Sequence, residues 1–260
     1  MKDTIFIFFI FLKKNSSLKI FFMNLSIIIP LFNEENTITI LLDKLISLSY
    51  PSFISNVEII IVDDCSTDTS HNVVSEFISN NTFQIKLISN PVNRGKGYVV
   101  RQGIKAANGD LILIQDADLE LDPNDIPKML NALNELNIDF VNGSRYLPGI
   151  VRPLPSFSRY MGNRLFTLLT SFLINVKISD VACGYKLFKK NLLDKISLKE
   201  NGFGFEAELI IKTMRINPTK VAEVPVQYIP RTINTGKKLK NRHAFGILWV
   251  ILKYGLFRFK

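Results

Sequence analysis

Histidine and cysteine are nearly absent from this 260-residue chain, which has two of each: His71, His243, Cys65 and Cys183. Two cysteines cannot build a disulfide framework, and with only two histidines to join them a His/Cys zinc cluster is not expected. The cysteines read as packing residues and His71 as a helix-surface residue. Also missing is an apolar run of about 20 residues, the length that crosses a bilayer. TIFIFFIFL (4–12) and AFGILWVILKYGLF (244–257) both fall short of it, and the first has no small-residue cleavage site of the secretory kind beside it. Acidic residues are absent from Arg231 to Lys260, where eight basic residues lie. Eight of the nine net positive charges therefore belong to the tail, and everything before it is close to neutral.

What is present is a chain 47% hydrophobic and 21% charged, enough for a substantial core. It reads as one intracellular α/β domain with short extensions. The basic tail calls for an anionic partner. Nucleic acid is one candidate, but apolar and aromatic residues dominate 244–257, which suits an interfacial helix on an anionic membrane better. A helix docked on the domain's own core is the equal alternative. At the other end, Met23 is followed at once by NLSIIIPLFNEE, a natural first strand. Residues 1–22 are therefore expected to be an apolar extension upstream of the fold, or a misassigned start.

Apolar runs recur at LSIII (25–29), VEIIIV (57–62), QIKLIS (84–89) and LILI (111–114). Between them lie stretches of helical periodicity, such as Ile38, Leu41, Leu42, Leu45 and Ile46. This is the rhythm of βα units, and it predicts a mostly parallel sheet covered by helices. VAEVPVQYIP predicts a last strand.

The chemistry sits at the strand ends. LILIQDAD runs four apolar residues into Asp116 and Asp118, separated by Ala117. Hard cations such as Mg²⁺ take oxygen ligands and share one or two protein carboxylates with substrate phosphates. The C-terminal ends of strands are where open α/β sheets bind ligands. Asp122-Pro123 then opens a helix, with proline at its first position. After the first strand comes Pro30-Leu31-Phe32-Asn33-Glu34-Glu35, and after the second Asp63-Asp64-Cys65-Ser66-Thr67-Asp68. Ser66, Thr67 and Asp68 read as helix caps. Adjacent carboxylates repel, so Asp63 and Asp64 are tolerated best where a ligand's base or ribose donates to one of them. Asn93-Arg94-Gly95-Lys96-Gly97 either caps the next helix or approaches a phosphate.

PLFNEE, IIIVDDCSTD, NRGKG, QDADLELDP, NGSRY and GFGFEAEL occur in this order over about residues 24–238. Together they resemble the inverting family 2 glycosyltransferases of the GT-A fold, in particular the dolichol-phosphate mannose synthase and polyprenyl-phosphate glycosyltransferase subgroup. The resemblance implies a Rossmann-like catalytic domain over 23–238; 239–260 is the basic amphipathic tail whose own residues predict membrane association. The resemblance also implies a nucleotide-sugar site in which Pro30, Phe32 and Glu34 border base and ribose and Asp63 and Asp64 bind the nucleoside. Asp116 and Asp118 would hold Mg²⁺ or Mn²⁺ on the diphosphate, with Glu120 adding to the metal shell, and Lys96, Ala117, Arg231, Lys237 and Lys238 would lie beside the same group. Arg145 would meet the acceptor phosphate, for which a planar guanidinium fork is suited. Arg159 and Arg164, on an amphipathic helix whose apolar face rests on the membrane, would help it. Lys186 would be the cation of a segment closing the site, and Glu208 would be structural or on the acceptor side.

The implied reaction is a single inverting displacement. It moves a hexose, mannose or glucose, from a GDP- or UDP-sugar to a polyprenyl phosphate at the cytoplasmic face of the membrane, with a membrane-protein partner as a further expectation. A phosphate acceptor is already ionised and needs no strong base. The alternatives are a relative acting on a glycan or other hydroxyl, and a nucleotide- or nucleic-acid-binding protein without transferase activity. The first reading expects no nucleic-acid partner.

Overall fold

The computed structural model describes residues 22–149, 153, 156–231 and 243–257. Seven strands form one sheet: β1 (Met23–Leu31), β2 (Ile54–Asp63), β3 (Ile85–Ser89), β4 (Leu111–Ile114), β5 (Phe140–Ser144), β6 (Lys186–Lys189) and β7 (Val221–Pro225). Their spatial order is β3-β2-β1-β4-β6-β5-β7. Strands β1 to β4 are mutually parallel, β6 runs antiparallel to β4 and β5, and β7 pairs parallel with β5.

The helices are α1 (Ile38–Ser47), α2 (Ser70–Ser79), α3 (Lys96–Ala106), α4 (Ile126–Glu135), α5 (Phe157–Ile174), α6 (Phe205–Ile216) and α7 (His243–Gly255). In β1, Ile27 and Ile29 enter a core shared with Leu41 of α1, Val74 of α2 and Met129 of α4. Ile28 enters a second core with Val99 of α3, Leu209 of α6 and Ile251 of α7. Burial on both faces is why the strands read as unbroken apolar runs rather than as alternation. Helix α1 shows the complementary pattern, burying Ile38, Leu41, Leu42 and Leu45 on one stripe. As expected, Asp122 caps a short 3-10 turn (Pro123–Asp125) with proline at its start, and α4 follows.

The tail helix α7 packs against α5 and α6, burying Ile247, Val250, Ile251 and Tyr254. It also leaves Phe245 79% exposed and Trp249 56% exposed. Among the described residues no helix is long and apolar enough to cross a membrane. Residues 1–21, Lys237 and Lys238 lie outside the described residues.

Candidate active site

The parallel strands β1, β2 and β4 end at one edge of the sheet, so their following loops converge. Three of those exits pass through a left-handed residue that is not glycine: Asn33 (φ 51°), Cys65 (φ 64°) and Leu119 (φ 58°). Such a conformation is costly for a bulky side chain, and strain of this kind gathers at binding sites.

A cavity of about 660 Å³ opens at this edge and is lined by Pro30, Phe32, Glu34, Asp64, Lys96, Asp116, Ala117, Asp118, Glu120, Arg145 and Arg231. Eleven of the residues singled out in the sequence, drawn from six separate segments, therefore meet at one place. Asp63 is not among its lining residues. Its carboxylate accepts hydrogen bonds from the backbone N–H of Ser66 (3.0 Å) and the Ser66 hydroxyl (2.6 Å). Asp64 lines the cavity while accepting from the N–H groups of Arg94 (2.9 Å) and Gly95 (2.7 Å) and from Asn90 (3.1 Å). It thus ties the NRGKG loop to the end of β2.

That loop is glycine-rich because of what it touches. A Cβ on Gly97 would collide with the Glu200 carbonyl, and one on Gly95 with that of Asn201, while Gly95 itself has φ 90°. Ser66 and Thr67, expected as caps of α2, are used otherwise: Ser66 Oγ accepts from the N–H of Asn33 (2.9 Å) and Thr67 Oγ1 from the Asn33 amide (3.1 Å). Asp68 does accept from the N–H of Ser70, at 3.0 Å. The partner of Ser66 and Thr67 is more than 30 residues away in sequence, beyond the reach of local capping rules.

The acid cluster is held between cations. Lys96 Nζ lies 2.5 Å from Asp116 Oδ1 and 2.7 Å from Glu206 Oε1. Burial opposes the charge on Lys96, but these two carboxylates outweigh it and raise its pKa. Arg231 forks onto Glu34 (2.8 and 2.9 Å) and reaches Asp118 Oδ2 (3.0 Å). Its own N–H donates to Glu120 (2.8 Å), which also accepts from the Tyr228 hydroxyl (3.1 Å). Asp118 is pushed up to about 6 by burial and then by the charges of Asp116 and Glu120. Gly184 lies so close that a Cβ there would collide with Asp116 Oδ2.

Arg145 is bidentate on Asp180, at 2.7 Å through Nε and 2.9 Å through Nη2, and its guanidinium also stands over the Tyr228 ring at 5.0 Å. Asp180 is fully buried; burial would raise its pKa, yet Arg145 holds it below the usual carboxylate range. Arg159 and Arg164 do not line the cavity. Arg164 stands over Tyr146 at 5.4 Å, behind Arg145. Lys186 is buried in β6, where its ammonium meets the Cys183 carbonyl and burial lowers its pKa. Glu208 is buried too and accepts from the N–H groups of Lys199 (2.9 Å) and Glu200 (2.8 Å), which anchors the loop before α6.

Glu206, Tyr228, Phe203 and His243 also line the cavity, and the sequence reading had not singled them out as site residues. Glu206 carried a signal: it stands two residues before Glu208 in the GFGFEAEL block.

A divalent cation fits the donor set. Asp116 and Asp118 offer hard oxygens, and the pKa of Asp118, raised first by burial and then by the charges of Asp116 and Glu120, shows a carboxylate whose charged form a cation would favour. Among the described residues no group of three His, Cys, Asp or Glu is arranged to hold a metal ion. The two aspartates therefore suit an ion that takes its remaining oxygens from a bound diphosphate.

The mostly parallel seven-stranded sheet flanked by helices is the fold of the GT-A glycosyltransferases, and the paired-aspartate cavity opens at its strand ends. The chain belongs to glycosyl transferase family 2, whose model matches residues 26–197. It is 29% identical over 181 residues to a dodecaprenyl-phosphate galacturonate synthase of Rhizobium johnstonii, covering 68% of this chain and 51% of that protein. It is 29% identical over 228 residues to a dolichol-phosphate mannosyltransferase of Pyrococcus furiosus, covering 87% and 62%. The chain thus spans between half and two thirds of the length of these relatives. The fold matches glucosyl-3-phosphoglycerate synthase of Mycobacterium tuberculosis with a TM-score of 0.68, at 20% identity over 90% of this chain and 81% of that one. A complex of that enzyme with Mn²⁺, uridine diphosphate and its product matches with a TM-score of 0.66, at 20% identity over 90% and 80%.

Proposed function

We propose that the chain transfers a hexose from a nucleoside-diphosphate sugar to a polyprenyl phosphate, with inversion at the anomeric carbon. The observation that carries this reading is one cavity lined by Asp116 and Asp118 and also by two guanidinium groups, Arg145 and Arg231. The aspartates suit a diphosphate with its cation, and the arginines suit further anionic oxygens. Both curated relatives described above carry polyprenyl-phosphate substrates in their names.

In this reading Pro30, Phe32, Glu34 and Asp64 border the nucleoside. Asp116 and Asp118 would hold Mg²⁺ or Mn²⁺, which when bound would supply charge neutralisation to the leaving diphosphate. Arg231, released from Asp118 and Glu34, follows the same negative charge as it develops. Arg145 is held rigidly by Asp180 and orients the acceptor phosphate. That phosphate attacks as an ionised oxygen and needs no base. Glu206 gives a hydroxyl acceptor its own support, since it is a carboxylate in the cavity, paired there with Lys96.

The outer faces of α5 and α7 fit residence at a membrane surface. Phe157, Met161, Leu165, Leu168 and Phe172 form an exposed apolar stripe on α5, Phe245 and Trp249 are exposed on α7, and neither helix carries Asp or Glu.

The test is transfer of labelled sugar from GDP- and UDP-hexoses into an organic-extractable product, with polyprenyl phosphate and Mg²⁺ or Mn²⁺, with and without EDTA. Label that EDTA abolishes supports the reading. Donor turnover that instead requires a hydroxyl acceptor would assign Glu206 as base.

A further inference from the structure

We infer that the tail helix α7 is part of the donor-sugar site: His243 and Ile247, with Phe203 from the loop before α6, form the wall against which the hexose ring rests. The inference rests on the nucleotide-sugar reading above and assigns the tail a role beyond membrane contact.

By the bonds they make, the lining residues fall into two groups, one arm tied to Asp118 and one tied to Asp116. On the Asp118 side stand Arg231, Glu120, Tyr228 and Arg145, a dense set of charges suited to the leaving group and to an anionic acceptor. On the Asp116 side, Lys96 bridges to Glu206, and beyond them the lining turns to Phe203, His243 and Ile247. A diphosphate clasped at the aspartates has one sugar to place, and the second arm combines hydrogen-bonding groups with an apolar wall, as a pyranose needs. An ammonium and a carboxylate there can exchange hydrogen bonds with hydroxyls. The Phe203 and His243 rings, 4.9 Å apart between centroids, and the Ile247 side chain offer faces to the ring's C–H groups.

The wall is fixed rather than draped. Val250 packs so tightly on Gly204 that a Cβ there would collide with it. Lys253 and Tyr254 bond to Glu200 at 2.8 and 3.0 Å, and Arg215 donates to the Gly255 carbonyl. Helix α7 is thereby locked to α6 and to the loop that already touches the NRGKG segment.

The experiment uses the full chain with Mn²⁺ and no acceptor. Calorimetry compares the binding of UDP and GDP with that of UDP-glucose and GDP-mannose for the wild type, Ile247→Trp, which fills the arm, and His243→Ala, which opens it at a half-exposed position. The expected result for the sugar nucleotide that the wild type binds is at least about tenfold weaker binding by Ile247→Trp. The matching free diphosphate should stay within about twofold. His243→Ala should change the ranking of the two sugar nucleotides, and it carries the test alone if Ile247→Trp does not fold. Equal losses for sugar nucleotide and free diphosphate would overturn the inference. So would unchanged donor binding together with a raised KM for polyprenyl phosphate when the same variants are put through the transfer assay above, which would give the arm to the acceptor. A wild type that bound neither sugar nucleotide would remove the proposed function along with it, whereas normal binding without transfer would remove the acceptor alone.

Discussion

The two halves of the sheet differ in how they satisfy most of their buried carboxylates. Between β1 and α3 three of the four have neutral partners: Glu58 accepts from Ser26 and Asn108, Asp63 from Ser66, and Asp64 from backbone N–H groups and Asn90, while the fourth, Glu34, is paired with Arg231 from beyond β7. From β5 onward the partners are cations: Asp180 with Arg145, Glu206 with Lys96, and Glu208 with Lys212. Neutral partners fix a loop without adding charge, which suits a shelf for a nucleoside. Charged partners place guanidinium and ammonium groups at a cavity wall, which suits anions. Asp116 and Asp118 lie on the seam between the two regimes, and each has one cation beside it.

The sharpest test acts on that seam. Asp116→Asn and Asp118→Asn should each lower turnover by about 10²–10³-fold while circular dichroism and the melting transition show a folded protein. Near-normal turnover in both would take the metal role away from the pair. Next, Asp180→Ala strands the Arg145 charge in a buried place and should cost about 3–5 kcal/mol in denaturant unfolding. Asp63→Ala, which removes an acceptor from neutral donors, should cost only about 1–3 kcal/mol. Equal costs would erase the contrast between the halves.

The smallest effect concerns pH. Asp118 ionises near 6 in the folded chain against 3.8 for an ordinary aspartate, so the native state binds more protons than the unfolded one between about pH 4 and 6. Stability from this group therefore falls as pH rises through that window and stays reduced above it. In EDTA at pH 7.5, Asp118→Asn should melt higher than the wild type, by about 2–4 °C for each kcal/mol relieved. The gap should close near pH 3.5.

Much of this was legible in the sequence, for a physical reason. Strands buried on both faces must be apolar throughout, so LSIII, VEIIIV and LILI stood out, and the polar residues that follow each run had to be strand exits. The cavity residues at those exits, Glu34, Asp64, Asp116 and Asp118, came with them. Contacts that span sequence were not legible. Nothing near Lys96 announces Glu206 as its second partner, and nothing near Ser66 announces Asn33. The tail was divided between two readings, and α7 is docked on the core by one face while exposing Phe245 and Trp249 on the other. Periodicity shows that a helix has two faces, not which surface each one meets.

The loops after β1 and β2 are stitched together. The Asn33 amide exchanges hydrogen bonds with Thr67, the N–H of Glu34 donates to Ser70 at 2.7 Å, and Glu35 accepts from Thr69 at 2.5 Å. Two segments joined at so many points should open to solvent as one, so their amides belong to a single hydrogen-exchange unit rather than two. A nucleoside bound there as proposed would meet a shelf already assembled, with little of its binding free energy diverted into ordering the chain.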